Sequence, residues 1–175
     1  YRTGTMTSVL AKESSFKDSE DRITKTDAPE RPLELPCDVH HIKVKGASYF
    51  VLVGLLHDDP YEVFAGKNGF IDKKVKAGII IRKKRPKGMY KAVLEDDSEI
   101  SPINATCSEE EDALTRMTST SLRHGADIHH VVQQLEKVKG DMTSFAKSMA
   151  RALKKYIPDG KKEQGECPEC NAQDA

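Results

Sequence analysis

The spacing of apolar residues changes along this chain of 175 residues, and the changes divide it. Residues 1–36 show no sustained period. Ser, Thr, Lys, Asp and Pro dominate there, and the stretch TDAPERPLELP holds three prolines, each of which pushes the residue before it away from the helical region. This part reads as an extended linker. From Cys37 the texture becomes β-branched and partly alternating, which suits a pleated, half-buried strand. In DVHHIKVKGASYFVLVGLL two such runs flank KGAS, where Gly46 supplies a turn, so a hairpin is predicted. A polar turn ending in Pro60 leads to a third strand through Tyr61, Val63 and Phe64. Ile79–Ile81, the turn RPKG and Met89–Leu94 predict a second hairpin. Residues 37–104 therefore read as a small antiparallel sheet.

Over residues 105–158 the apolar period becomes helical. Ser108 followed by Glu111 is a capping box, and the acidic turn SEEED suits the helix dipole. Leu114, Met117 and Ser121 trace one face of this first helix, and Gly125 offers a left-handed stop. Asp127 caps a second helix, with Ile128, Val131, Val132, Leu135 and Val138 as its stripe and Gly140 as its end. Met142, Phe145, Ala146, Met149, Leu153, Tyr156 and Ile157 mark a third, closed by Pro158. The fold class is α+β: a small antiparallel sheet, then a three-helix segment, with an extended N-terminal linker and a flexible tail over 159–175.

Composition narrows the function. The chain carries 28 basic and 28 acidic residues, a balance that argues against direct nucleic-acid binding, whose footprint is a basic excess. No run approaches the ~18 apolar residues of a membrane span, and the N-terminus lacks the apolar core of a signal peptide. A cytoplasmic protein is expected. The chain begins with Tyr1 instead of Met, as a piece of something longer would.

The sharpest chemical signal is GECPEC at residues 165–170. The thiols of Cys167 and Cys170 could hold half of a tetrahedral zinc site, or form and break a disulfide, or do neither. Cys37 and Cys107 would complete a zinc set only if the fold brought them together. His40 and His41, adjacent in a strand, face opposite ways. His129 and His130 are about 100° apart on a helix, with His129 placed on the wetter side. The run RKKRPK puts five positive charges around a turn but has no interleaved aromatics to stack on bases, so it reads as a solvated hairpin tip or one docked on an acidic partner. There is no phosphate-binding glycine loop, nucleophile elbow or metalloprotease motif.

RPLELPCD, YFVLVGLL and PYEVFAG, followed downstream by SLRHG and IHHVVQQL, resemble the region after the catalytic barrel of adenosylcobalamin-dependent (class II) ribonucleotide reductases. The resemblance covers nearly the whole chain. It implies an accessory C-terminal part of an enzyme that makes deoxyribonucleotides for DNA replication, with the barrel as partner in the same or a separate chain. It also implies that adenosylcobalamin and all catalytic residues belong to the barrel, with none in this chain. Cys167 and Cys170 match the C-P-E-C that opens the family's tail. There they would be redox-active cysteines re-reduced by a thioredoxin-type protein or, alternatively, zinc ligands. Homo-oligomers are compatible with this picture. The alternative function is a stand-alone zinc-binding or protein-interaction adaptor without catalysis.

Overall fold

The computed structural model describes residues 23–159. Six antiparallel strands, β1 (Glu34–Val44), β2 (Ala47–Leu56), β3 (Asp59–Lys67), β4 (Ala77–Arg82), β5 (Tyr90–Leu94) and β6 (Glu99–Ile100), are followed by α1 (Glu109–Arg123), α2 (Ile128–Glu136), α3 (Phe145–Leu153) and a 3-10 turn, Lys154–Tyr156. The α+β class and the order sheet-then-helices are as the sequence predicts. Lys45 and Gly46 form the β1–β2 turn with φ of 47° and 85°, and His57 and Asp58 form the β2–β3 turn at 52° and 67°. Paired positive φ values give the turn whose twist matches that of the flanking strands. Pro60 sits in β3, an edge strand, where its missing N–H is tolerated.

The spatial order is β3-β2-β1-β4-β5-β6, and the sheet is strongly curled. Phe64 on the first strand in this order and Tyr90 on the fifth have ring centroids 5.1 Å apart, whereas four steps of ~4.8 Å would hold them ~19 Å apart in a flat sheet. Residues 101–107 close the gap. Ile103 N–H donates to Tyr90 O, Thr106 Oγ1 accepts from Lys67 N–H, and Cys107 Sγ–H donates to Ala65 O.

Because side chains alternate across a strand, the curl sorts them into two cores. Cys37, Val39, Phe50, Leu52, Ile80, Ala92 and Leu94 fill the inside. Val51, Val53, Val63 and Ala65 face outward beneath Val132, Leu135, Met149 and Leu153 of the helices.

The helices differ from the sequence expectation in instructive ways. The capping box of Ser108 and Glu111 is formed, and Gly125 takes φ 82° just beyond α1. Yet Met117 is 64% exposed, and the buried face of α1 is Thr115, Thr118, Ser119 and Leu122. This helix packs mainly against β3, where the Ser119 hydroxyl accepts from Val63 N–H at 2.9 Å. A free strand edge must have its backbone groups satisfied, so small hydroxyl residues, not large apolar ones, mark the contact. α2 is capped by Asp127 as expected but ends at Glu136, short of Gly140. Val138 and Met142 are exposed because residues 137–144 form a connection instead, and Thr143 O there accepts Lys45 N–H from the first hairpin.

Candidate functional site

One end of the curled sheet is closed by charge. Glu62 on β3 is fully buried, and its carboxylate accepts from Arg31 Nε at 2.9 Å, Arg31 Nη2 at 2.6 Å and Arg123 Nη2 at 2.9 Å. Arg31 also donates to Pro32 O, Leu33 O and Ile80 O and lies over the Tyr90 ring. Arg123 lies over Tyr61. Each charge comes from a different motif: Arg31 from RPLELPCD, Glu62 from PYEVFAG and Arg123 from SLRHG. Gly54 lies opposite Glu62 on β2, where an added Cβ would come within 2.6 Å of Glu62 Cγ. The glycine thus makes room for the buried carboxylate.

These contacts also tie down the chain that precedes β1. Tyr61 Oη–H donates to Pro29 O at 2.6 Å, and the Thr26 hydroxyl donates to His124 O at 3.0 Å. Residues 26–31 thus lie as a strap across β3 and the end of α1. Between strap and helices runs an apolar groove of about 630 Å³, lined by Pro29, Tyr61, Leu122, Arg123, Ile128 and Tyr156 among others.

A second polar cluster fixes the end of the last helix. Tyr156 Oη–H donates to Asp38 Oδ2 at 2.6 Å, and His40 Nε2 lies 2.7 Å from Tyr156 Oη. With the single phenolic proton directed at Asp38, His40 donates through Nε2–H. Burial, with help from Asp38, holds the Tyr156 phenol well above its usual range. His40 is lowered to about 4, first by burial and then by Lys155, while Asp38 opposes and Lys76 and His41 add to the lowering. His40 therefore stays neutral in the fold where an unfolded chain, at 6.5, would protonate. The unfolded state binds more protons between these values, so stability is lost as pH falls from 6.5 through about 4. A His40→Gln chain is expected to lose less stability over this window, measured as denaturation midpoints of the two proteins from pH 7 to 4. Parallel curves would remove His40 as the cause.

His41 points the other way, as strand alternation requires, with Nε2 at 2.9 Å from Val75 O. His129 is half-buried against Gln133 and His130 is the exposed one, the reverse of the expected assignment. The basic turn is exposed over Lys84–Lys87, with Lys83 Nζ donating to Ser101 Oγ.

The fold separates the two described cysteines. Cys37 lies inside the curl and Cys107 packs against the outer, helix-covered core, so they do not join in one ligand set. Both thiols are pushed up to about 12. Burial is the main cause for each, aided by Asp38 and Glu62 at Cys37 and by Glu111 and Asp112 at Cys107. Among the described residues no group of three or more His, Cys, Asp or Glu is placed to hold a metal. His40 and His41 direct Nε2 to protein partners. Cys167 and Cys170 lie outside the described residues. No helix among the described residues is long and apolar enough to cross a membrane.

Sequence reading missed the ion cluster and the Asp38–Tyr156–His40 chain. The available signal was the isolated Glu62 within an otherwise apolar strand, a charge that burial tolerates only with partners.

Residues 35–158 match the family described as NrdJ homologue C-terminal domain. No curated protein and no solved structure matches.

Proposed function

We propose, since this chain belongs to the NrdJ homologue C-terminal domain family and NrdJ is the adenosylcobalamin-dependent class II ribonucleotide reductase, that it is the accessory C-terminal part of such a reductase. Its sheet and helices hold a thiol-bearing tail beside the catalytic barrel in the cytoplasm, and Cys167 and Cys170 carry electrons to that barrel. Adenosylcobalamin and the radical step belong to the barrel. No residue here is given a role toward the cofactor.

The observation that carries this reading is the state of the folded cysteines. Cys37 and Cys107 are both raised to about 12, so at neutral pH neither supplies the thiolate that exchange requires. The exchange role falls to the pair with C-x-x-C spacing. Reduction of one ribonucleotide removes the 2′-hydroxyl as water and leaves two barrel thiols as a disulfide. One tail thiolate attacks that disulfide, forming a mixed disulfide and releasing one barrel thiol; the second tail thiol then attacks the tail sulfur of the mixed disulfide and displaces the barrel thiol still bound there, leaving both barrel thiols reduced. The tail disulfide formed is then reduced by a thioredoxin-type dithiol. Tethering raises the local concentration of the tail dithiol at the barrel. Tyr156, pinned to Asp38 and His40, gives the tether a fixed point of departure just before Pro158.

The test is turnover by the reductase that contains this chain with its barrel. Cys167→Ser and Cys170→Ser are expected to leave turnover driven by a small dithiol intact. Turnover driven by thioredoxin should fall by an order of magnitude or more. Equal loss with both reductants would overturn the shuttle. Stoichiometric zinc that survives dialysis and is released by the same substitutions would favour the metal-binding alternative.

A further inference from the structure

Between β1 and the end of α3 lies a cleft of about 250 Å³. Its walls are His40, His41, Ile42 and Lys43 on one side and Arg151, Ala152 and Lys155 on the other. β4 pairs with β1 only as far as Asp38, so the following residues of β1 have a strand neighbour, β2, on one edge. Val39 N–H donates to Lys76 O on the open side. Amides of alternate residues in an antiparallel strand point the same way, so the N–H groups of His41 and Lys43 are directed to that edge as well.

The polar surroundings are of one sign. Arg151 is held in place by donating to Met142 O at 2.7 Å and Ser148 Oγ at 2.9 Å, and Ser148 in turn donates to Lys43 O. Lys43 and Lys155 make no ion pair among the described residues. No Asp or Glu lines the cleft, and nearby Asp38 is engaged by Tyr156.

We propose that this cleft binds a phosphoryl group, carried by a nucleotide or by free pyrophosphate. A guanidinium, two lysines and strand amides bordering one cleft without a lining carboxylate form a phosphate-binding set. The cleft is smaller than the ~300–1,000 Å³ of pockets that enclose a whole drug-sized ligand, so it takes the phosphoryl end and leaves a base outside. Nucleic acid fits poorly, because the cleft wall offers no Phe, Tyr or Trp face for stacking. This inference is independent of the tail dithiol.

The test titrates the whole chain with pyrophosphate, ADP and adenosine at constant ionic strength, following heat of binding and the His40 imidazole resonances. Pyrophosphate and ADP are expected to saturate, adenosine not to bind, and the His40 resonances to move in step with occupancy. The Lys43→Ala, Lys155→Ala double variant should bind about tenfold more weakly, a one-decade change in Kd. A Lys84→Ala, Lys87→Ala variant makes the same charge change at the exposed turn and should bind as the parent does. Thermal melts of both double variants check that the fold is kept. Equal affinity for pyrophosphate and ADP would assign the site to the phosphoryl group itself, and tighter ADP would add a contact from the nucleoside. The proposal is overturned if neither phosphate compound saturates, if ADP binds and pyrophosphate does not, or if the two double variants weaken binding equally.

Discussion

Replacing Glu62 by alanine is expected to lower the unfolding free energy by about 3–5 kcal/mol, the scale seen when one partner of a buried ion pair is removed. The Glu62 side chain is 0% exposed and that of Arg31 5%, so solvent cannot take over when the carboxylate is lost. Two guanidinium groups would then face each other in one desolvated site, with the Arg31 donors to Pro32 O, Leu33 O and Ile80 O still fixing one of them there. Glu62→Gln keeps the shape and one acceptor oxygen and should cost less than alanine. The effect should reach beyond β3, because the same carboxylate joins the strap, the sheet and the end of α1. Amide exchange at residues 26–31 and 119–124 is therefore expected to accelerate together. Urea denaturation measures the first quantity; a change below about 1 kcal/mol, the range of an exposed pair, would show that the cluster is not a buried tie.

The second large effect is expected at Leu153. Its side chain is completely buried where α3 meets the outward face of the sheet, in the same core as Val51, Val53, Val132 and Met149. Leu153→Ala should destabilise the chain by about 2–5 kcal/mol, the sum of lost transfer energy and the cavity left behind. Ile79→Ala, at a position 43% exposed on β4, is expected to stay within about 0.5 kcal/mol. Similar losses at the two positions in the same denaturation experiment would contradict the burial of Leu153 in the helix-covered core and the exposure of Ile79.

Whatever rested on neighbours in sequence could be read before the structure. The KG turn at Lys45 and Gly46, the Ser108–Glu111 capping box and the Asp127 cap each involve groups a few residues apart, and their chemistry is set by dihedral preference and local donors. The alternation that sends His40 and His41 to opposite sides is equally local. The buried face of α1 was misread, since an apolar-stripe rule assumes that a helix packs on an apolar surface. Here it satisfies a strand edge, so hydroxyls at Thr115, Thr118 and Ser119 take the buried positions. The ends of α2 and α3 were set by the connection between them, where Thr143 O meets Lys45 N–H from nearly 100 residues earlier.

The candidate site was less legible for the same reason. Arg31, Glu62 and Arg123 stand in three motifs that point to the family, yet nothing local says that they meet. The phenol of Tyr156 reaches Asp38 and His40 across more than 110 residues. Sequence by itself determined the kinds of element, their order and the C-x-x-C spacing of the tail, because propensity, period and spacing are properties of short windows, and its motifs carried the family resemblance. The strand order β3-β2-β1-β4-β5-β6, the curl that makes two cores, the buried carboxylate between two arginines and the burial that raises the Cys37 and Cys107 thiols were decided only by tertiary structure. Each of these depends on which distant groups exclude water from one another, and that is fixed only when the chain closes on itself.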